Sequence, residues 1–174
     1  MQNINERLSG VCPILPTPFC EDDTIDCGSL EREVNFLLDS GVSGIALFGT
    51  ASEAFALTAA EKQQIAELVV RVNNGRVPLV FGAGGTGIEP AIDSAQWAYK
   101  NGADVLMMMP PYMIKPDAQR IYDYYAAVAK AVPLPIMIQD APGACGVNIP
   151  IDTIVRLVND YDNIRFVKAE APPT

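Results

Sequence analysis

A lysine lies inside an apolar segment near the end of the sequence. Lys168 falls within residues 164–170, a short run with the length and composition of a buried β-strand. A charged, unpaired ammonium is costly inside a protein, so burial favours the neutral form of an amine. A neutral amine can attack a carbonyl carbon and form a Schiff base. We therefore treat Lys168 as a candidate nucleophile, and the alternative is an edge-strand lysine whose ammonium reaches water.

A second group of candidates follows an apolar run at residues 44–49. Thr50, Ala51 and Ser52 form a loop of small residues there, and the backbone N–H groups of such a loop can turn toward an anion. The carboxylate of a 2-oxo acid is a suitable anion, so these three are candidate substrate-binding residues. An ordinary tight turn is the alternative.

The remaining candidates are polar side chains at the ends of other apolar runs. Gln139 and Asp140 end a buried run, where polar groups need partners or a chemical role, and both are candidate catalytic residues. Tyr112 is a candidate hydrogen-bond donor at a pocket mouth, or else a loop tyrosine with a solvated hydroxyl. Glu170 lies two residues after Lys168 and therefore on the same side of a strand. It is a candidate substrate-binding residue that can also pair with the lysine.

A glycine-rich run resembles a nucleotide-binding loop only superficially. Gly82, Gly84 and Gly87 have the spacing of a dinucleotide fingerprint. Such a fingerprint opens a βαβ unit, and an acidic residue follows about 20 residues later. Here the run follows the third apolar segment, and Asp104 begins the next one. We interpret the run as a turn with close backbone packing, and the sequence predicts no cofactor.

Composition disfavours several classes of function. The 174 residues carry a formal net charge of -9, which opposes nucleic-acid binding. The chain has no histidine, so a Ser-His-Asp triad is impossible and the commonest metal ligand is missing. The four cysteines form no CxxC pair, which predicts no metal site and fits free thiols in a reducing cytoplasm. No apolar run reaches the ~18 residues of a membrane span, so no membrane partner is expected.

Alternating strand-like and helix-like segments must position these residues. The strand-like segments are continuous apolar runs, as in strands buried on both faces of a parallel sheet. They are residues 11–19, 44–49, 78–84, 103–110, 135–142 and 164–170. Amphipathic patterns predict helices at residues 29–39, 58–72, 89–101, 118–131 and 150–159. We expect Ser29 to cap the first helix, Thr58 and Glu61 to form a capping box, and Pro150 to lie in the first turn of the last helix.

This alternation predicts an α/β fold built from βα units. The strand starts recur every 25 to 34 residues, which fits either a doubly wound open sheet or a (β/α)8 TIM barrel. A complete barrel takes about 250 residues, and the sequence ends in a strand followed by what reads as a loop into another helix. We therefore expect residues 1–174 to form a partial TIM-barrel domain, with the first six βα units present and the C-terminal part missing.

Six motifs along the chain resemble those of one enzyme family. They are Gly10-Val11-x-Pro13-x-Leu15-x-Thr17-Pro18-Phe19, Gly49-Thr50-Ala51-Ser52-Glu53, Leu57-Thr58-x-x-Glu61-Lys62, Pro111-Tyr112-x-x-Lys115-Pro116, Ala141-Pro142-x-x-x-Gly146 and Val167-Lys168-x-Glu170. In order and spacing they are similar to the motifs of the dihydrodipicolinate synthase / N-acetylneuraminate lyase family, over essentially the whole chain.

The resemblance implies a class I Schiff-base lyase with a TIM-barrel fold that acts on a small 2-oxo acid such as pyruvate. It implies that Lys168 forms the imine, and that Thr50 and Ala51 bind the substrate carboxylate through their backbone N–H groups. It also implies a homo-oligomer, a dimer or a tetramer.

Several positions depart from the family pattern. Gln139 and Met113 stand where the family has the two tyrosines of its proton relay, so only Thr50 remains of that relay. Ala51 replaces a carboxylate-binding hydroxyl, and Ala144 replaces the arginine that holds the second substrate of the synthase. The chain therefore resembles an atypical member, and these departures argue against dihydrodipicolinate synthase itself.

The missing phenol bears on the reaction. Retro-aldol cleavage needs a base at the C4 hydroxyl, whereas dehydration begins with loss of a C3 proton. We therefore expect a lyase that forms a lysine imine with a 2-oxo acid, as dehydratase or aldolase of a 2-oxo-3-deoxy sugar acid, in which Gln139, Asp140 or a held water moves protons. The alternatives are pyruvate condensation of the dihydrodipicolinate synthase kind, a non-catalytic ligand-binding homologue, and an incomplete chain without activity.

Overall fold

The computed structural model describes residues 4–170. Its strands are β1 (Ile45–Leu47), β2 (Leu79–Gly82), β3 (Val105–Met108), β4 (Ile136–Asp140) and β5 (Ile164–Ala169). Its helices are α1 (Ile4–Arg7), α2 (Cys27–Asp39), α3 (Ala59–Asn73), α4 (Ile88–Lys100), α5 (Ala118–Ala131), α6 (Pro142–Cys145) and α7 (Ile151–Asp160). A short 3-10 helix, Thr50–Ser52, follows β1. The predicted alternation of strands and helices is confirmed.

The chain divides into two compact units, of which the first contains residues up to Gly82 together with residues 101–104. In this unit β1 and β2 run parallel, with Ile45 opposite Leu79, and α2 packs against α3. All three residues of β1 are buried, as the continuous apolar pattern predicted. The Asp104 side chain accepts a hydrogen bond from the Leu79 N–H at 2.8 Å and so holds the start of β2.

The second unit contains residues 83–100 and the chain from Val105 onward. β3 pairs with β4, and β4 with β5, all in parallel. α5 packs against α4 and α7, and it buries Tyr124 and Tyr125, whose rings meet edge to face with centroids 5.3 Å apart. Parallel strands end at the same edge of a sheet, so the carboxyl ends of β4 and β5 lie side by side.

Residues 11–19 do not form a strand, contrary to the sequence-based prediction. Outside the named strands, Ile14 forms an isolated parallel bridge with Ala46 of β1. The reason is the proline content of the segment, because proline has no N–H to donate to a ladder. The prolines are Pro13, Pro16 and Pro18. The described residues therefore contain five strands, where the apolar pattern predicted six.

Two predicted helix starts were wrong, and one was confirmed. α2 begins before Ser29, and its N-cap is Asp26, whose carboxylate accepts from the Ser29 N–H at 2.9 Å. Pro150 is the N-cap of α7 and precedes its first turn. Thr58 and Glu61 form the predicted capping box at the start of α3.

β5 differs from the other strands in its burial. Ile164 is buried, and the residues after it alternate between exposed and half-buried, with Val167 46% exposed. The continuous apolar run had predicted a strand buried on both faces. Within the described residues β4 is the hydrogen-bonded neighbour of β5, and this half-open environment is the one in which Lys168 lies.

Candidate active site

The second unit brings three predicted site residues together at the carboxyl ends of β4 and β5. Gln139 and Lys168 are register partners on the two strands. The Lys168 Nζ donates to Glu170 Oε1 at 2.5 Å, and the Gln139 Nε2 donates to Glu170 Oε2 at 2.7 Å. One carboxylate therefore bridges the candidate nucleophile and the Gln139 amide.

The backbone fixes this arrangement. The Glu170 N–H donates to the Asp140 carbonyl at 2.9 Å, which continues the pairing of β4 with β5 past the end of β5. Lys168 and Glu170 are two residues apart on extended backbone, so their side chains leave on the same side. Gln139 faces that side too, because register partners share a face of the sheet. The two-residue spacing had predicted that Glu170 can pair with the lysine.

Lys168 is partly exposed and paired, which agrees with the edge-strand alternative that its apolar segment left open and with the predicted pairing to Glu170. Its side chain is 29% exposed and that of Glu170 is 40% exposed, whereas Gln139 is only 5% exposed. Within the described residues β5 pairs with β4, and the Lys168 ammonium contacts a carboxylate. The site therefore has a buried amide beside a partly solvated ion pair.

Glu170 is held in its ionised form by its neighbours. Burial by itself raises the pKa of a carboxyl, and it acts in that direction on Glu170. The hydrogen bonds from Lys168 and Gln139, together with the positive charge of Lys168, outweigh burial, so the pKa of Glu170 is lowered from its ordinary value. At neutral pH the carboxylate accepts two hydrogen bonds and donates none.

Asp140 lies apart from this cluster. It follows Gln139 on a strand, so its side chain leaves on the opposite face. There its charge contributes, after burial as the main cause, to raising the pKa of Tyr125 well above the ordinary value. Tyr125 is fully buried and its hydroxyl donates to the Met108 carbonyl at 2.9 Å. Since the structure does not place Asp140 beside Lys168, the geometry gives no support to its predicted catalytic role.

Tyr112 lies exposed in the loop after β3. Burial is the main cause that raises the pKa of the neighbouring Tyr124 to about 12, and an electrostatic contribution from Tyr112 acts in the same direction. The Tyr124 hydroxyl accepts from the Gly85 N–H at 3.0 Å and so anchors the glycine-rich loop. Sequence analysis did not single out Tyr124 or Tyr125, because aromatic residues on the apolar side of a helix are ordinary core residues.

The predicted anion-binding loop lies in the first unit. Thr50 and Ala51 are exposed, whereas Ser52 is 2% exposed. The Ser52 Oγ donates to the Leu15 carbonyl at 2.6 Å, and the Ser52 carbonyl accepts from Thr17 Oγ1 at 2.7 Å. The Ser52 hydroxyl therefore holds the loop in place, which argues against its predicted role as a substrate ligand. The roles of Thr50 and Ala51 stay predictions.

Two residues in the left-handed region bracket this loop. Phe48 has φ 59° and Glu53 has φ 54°, a conformation that persists in a non-glycine residue only when its surroundings enforce it. Gly82 of β2 makes room for the Phe48 turn, because a Cβ at Gly82 would lie 2.0 Å from the Phe48 carbonyl oxygen. Strained backbone of this kind is frequent at ligand-binding loops.

Residues 4–170 lack two kinds of feature, a metal-binding cluster and a membrane-spanning helix. In this range no group of three or more Cys, Asp and Glu side chains is arranged to hold a metal ion. No helix in the same range is long and apolar enough to cross a membrane.

Comparison with known proteins gives consistent matches. The profile of the Dihydrodipicolinate synthetase family matches residues 7–172. The 4-hydroxy-tetrahydrodipicolinate synthase of Phocaeicola vulgatus is 34% identical over 165 residues, which is 95% of this chain and 56% of that protein. A crystal structure of a dihydrodipicolinate synthase superposes with TM-score 0.91 at 36% identity, over 94% of this chain and 57% of that one. The chloride-inhibited synthase of Acinetobacter baumannii, complexed with pyruvate, superposes with TM-score 0.88 at 34% identity. The superposition covers 92% of this chain and 55% of that one.

These matches confirm the predicted fold class, the α/β fold of the TIM-barrel type. The chain spans a little over half the length of the curated relatives that it matches, 56% in the case of the Phocaeicola vulgatus protein.

Proposed function

Because this chain belongs to the dihydrodipicolinate synthetase family, we propose that it forms a lysine imine with pyruvate or a related 2-oxo acid and carries out a lyase-type condensation. The observation that carries the proposal is the position of Lys168 at the carboxyl end of β5, hydrogen-bonded to Glu170 and opposite Gln139. Sites in α/β barrels form at that edge of the strands. Relatives named 4-hydroxy-tetrahydrodipicolinate synthase support condensation over the sugar-acid reactions.

The chemistry follows from the amine. After losing a proton, the Lys168 Nζ attacks the C2 carbonyl carbon of the 2-oxo acid, and loss of water gives a protonated imine. The imine nitrogen then withdraws electrons from C2, which acidifies the C3 protons. Removal of one of them leaves an enamine, whose C3 attacks the carbonyl or imine carbon of a second substrate.

Reductive trapping tests this proposal. The chain is incubated with pyruvate and sodium borohydride, and the modified residue is located by peptide mass spectrometry. We expect a pyruvyl adduct on Lys168, and none in the Lys168→Arg variant, which retains the charge but cannot form the imine. Lys115→Arg, in an exposed loop, is the matched control and should keep the adduct. If the unaltered chain gives no adduct at Lys168, the proposal fails.

A second candidate function is dehydration or aldol cleavage of a 2-oxo-3-deoxy sugar acid. Gln139 in place of the family's tyrosine and Ala144 in place of its arginine favour this candidate. The products decide between the two. Consumption of pyruvate with an electrophile indicates condensation, pyruvate plus an aldehyde indicates cleavage, and loss of water with the carbon chain intact indicates dehydration. Pyruvate binding without an adduct would instead identify a non-catalytic homologue.

The proposal includes a cellular location and an oligomeric state. The four cysteines are free thiols, which supports a location in a reducing cytoplasm. A homo-oligomer is proposed from the family resemblance, and sedimentation velocity of the purified chain tests it.

A further inference from the structure

The family resemblance assigns no catalytic role to Glu170. Its carboxylate nevertheless lies beside Lys168 and accepts hydrogen bonds at both of its oxygens. Its two carboxylate oxygens are engaged separately, one by the Lys168 Nζ and the other by the Gln139 Nε2. Two fixed contacts determine both the position and the plane of the carboxylate. A carboxylate that only neutralised a lysine would not need the second contact.

The distance to Lys168 decides what Glu170 can reach. The Glu170 Oε1 lies 2.5 Å from Nζ, and in the imine of a 2-oxo acid C3 is only two covalent bonds from that nitrogen. A carboxylate beside Nζ is therefore also beside C3. Proton transfer requires the base to come within hydrogen-bond reach of the proton that it removes.

Among the described residues, the cluster of Lys168, Gln139 and Glu170 contains no second base. The resemblance places tyrosines at Gln139 and Met113, and neither residue can accept a proton at neutral pH. Asp140 faces the opposite side of β4, toward Tyr125. Within the cluster, Glu170 is therefore the group that can take up a proton.

We propose that Glu170 is the catalytic base and acid at C3, with Gln139 as the positioning residue that fixes its carboxylate, an inference that rests on the proposed imine chemistry. Glu170 removes a C3 proton from the protonated imine. The electrons of the C3–H bond form the C2=C3 bond, and the C=N pair moves to Nζ as a lone pair. The protonated Glu170 then returns its proton to C3, or donates it to the oxygen that forms or leaves in the following step.

Exchange of the pyruvate methyl protons isolates this step from the rest of the reaction. The chain is incubated with pyruvate in D2O, and loss of the methyl signal is followed by proton NMR, in parallel with borohydride trapping at Lys168. In Glu170→Gln we expect the adduct to persist while exchange slows by about 100-fold or more, the usual contribution of a positioned acid–base group. Glu170→Asp, which keeps a carboxylate, should exchange faster than Glu170→Gln.

Chemical rescue separates proton transfer from a structural role. In Glu170→Ala, added acetate should restore part of the exchange rate, whereas acetate should have no effect in Lys168→Arg. For Gln139→Leu we expect slower exchange with an unchanged pyruvate concentration dependence, because the carboxylate loses one of its two anchors.

The outcomes are distinct. No adduct in the unaltered chain overturns both the proposed function and this inference. A Glu170→Gln variant that is trapped and exchanges at the full rate overturns the inference alone. A Glu170→Gln variant that is no longer trapped would assign Glu170 to imine formation, and would likewise contradict its role at C3.

Discussion

Ser52 shows how a hydroxyl in a candidate binding loop can serve the fold. Its Oγ donates to the Leu15 carbonyl at 2.6 Å in a buried setting. We expect Ser52→Ala to lower the free energy of unfolding by about 1–3 kcal/mol, because a buried acceptor loses its partner. Pyruvate trapping at Lys168 should be unchanged. Urea denaturation measures the first effect, and Thr50→Ala, at an exposed position, should change stability by less than about 0.5 kcal/mol.

The ion pair of Glu170 predicts a pH-dependent contribution to stability. The pKa of Glu170 is lowered in the folded chain by Lys168 and Gln139, against the opposing effect of burial. A carboxyl with a lowered folded-state pKa adds stability above its unfolded pKa, about 4.3 for glutamate, and loses it as the pH falls through the folded value. We therefore expect Glu170→Gln to be less stable than the unaltered chain at pH 7.

That difference should shrink as the pH falls below about 4.3 and disappear once Glu170 is protonated in both states. Urea denaturation of both proteins at a series of pH values measures it. A stability difference that stays constant from pH 7 into this acidic range would show that the ion pair is not its source. Because Glu170 is 40% exposed, solvent screens the pair and the effect should be modest.

Sequence predicted the contacts of the candidate site better than its solvation. The two-residue spacing of Lys168 and Glu170 is local information, so their pairing followed from strand geometry. Predicting the hydrogen bond from Gln139 to Glu170 would have required the register of β4 against β5, and no local sequence pattern specifies that register. The apolar run could not decide between a buried lysine and the edge-strand alternative, because the exposure of Lys168 depends on which elements cover β5.

At the level of elements, the backbone of β2 at Gly82 lies very close to the backbone at Phe48. A Cβ at Gly82 would lie 2.0 Å from the Phe48 carbonyl oxygen, and backbone cannot move aside as a flexible side chain can. We expect Gly82→Ala to lower the free energy of unfolding by about 3 kcal/mol, the upper end of the usual range for overpacking. Thermal or urea unfolding followed by circular dichroism measures the loss.

Gly143→Ala is the matched control for this change. An added Cβ at Gly143 in α6 meets nothing within 4 Å, so its stability should stay close to that of the unaltered chain. Equal losses for both variants would contradict the steric explanation. The variant at Gly82 should also disturb the left-handed turn at Phe48, and with it the loop that follows.

Element boundaries show where local patterns compete. Asp26 and Ser29 are both good N-cap residues, and the structure has Asp26 as the cap with Ser29 hydrogen-bonded to it. The apolar content of residues 11–19 suggested a strand, but a ladder needs N–H groups that the prolines of this segment do not have. In both cases hydrogen bonding, and not hydrophobicity, decided the outcome.

At the scale of the whole molecule, charge and exposed apolar surface oppose each other. The net charge of -9 at pH 7 makes the molecules repel one another. Ile151 and Val155 are exposed on one side of α7, Ile151 by 77%, and exposed apolar surface favours association. The repulsion weakens toward the sequence pI of about 4.4, whereas the apolar surface does not depend on pH.

We expect self-association, measured by static light scattering, to rise as the pH approaches 4.4 and to be smaller in the Ile151→Ser, Val155→Ser double variant. Serine leaves the charge unchanged, so a reduced signal reports the apolar surface alone. Phe36→Ser, which removes an exposed apolar side chain from α2, is the control and should have a smaller effect. Circular dichroism at each pH shows that the chain is still folded. Equal scattering by the unaltered chain and the double variant near the pI would show that α7 is not the surface involved, and that loss of charge repulsion acts through other parts of the molecule.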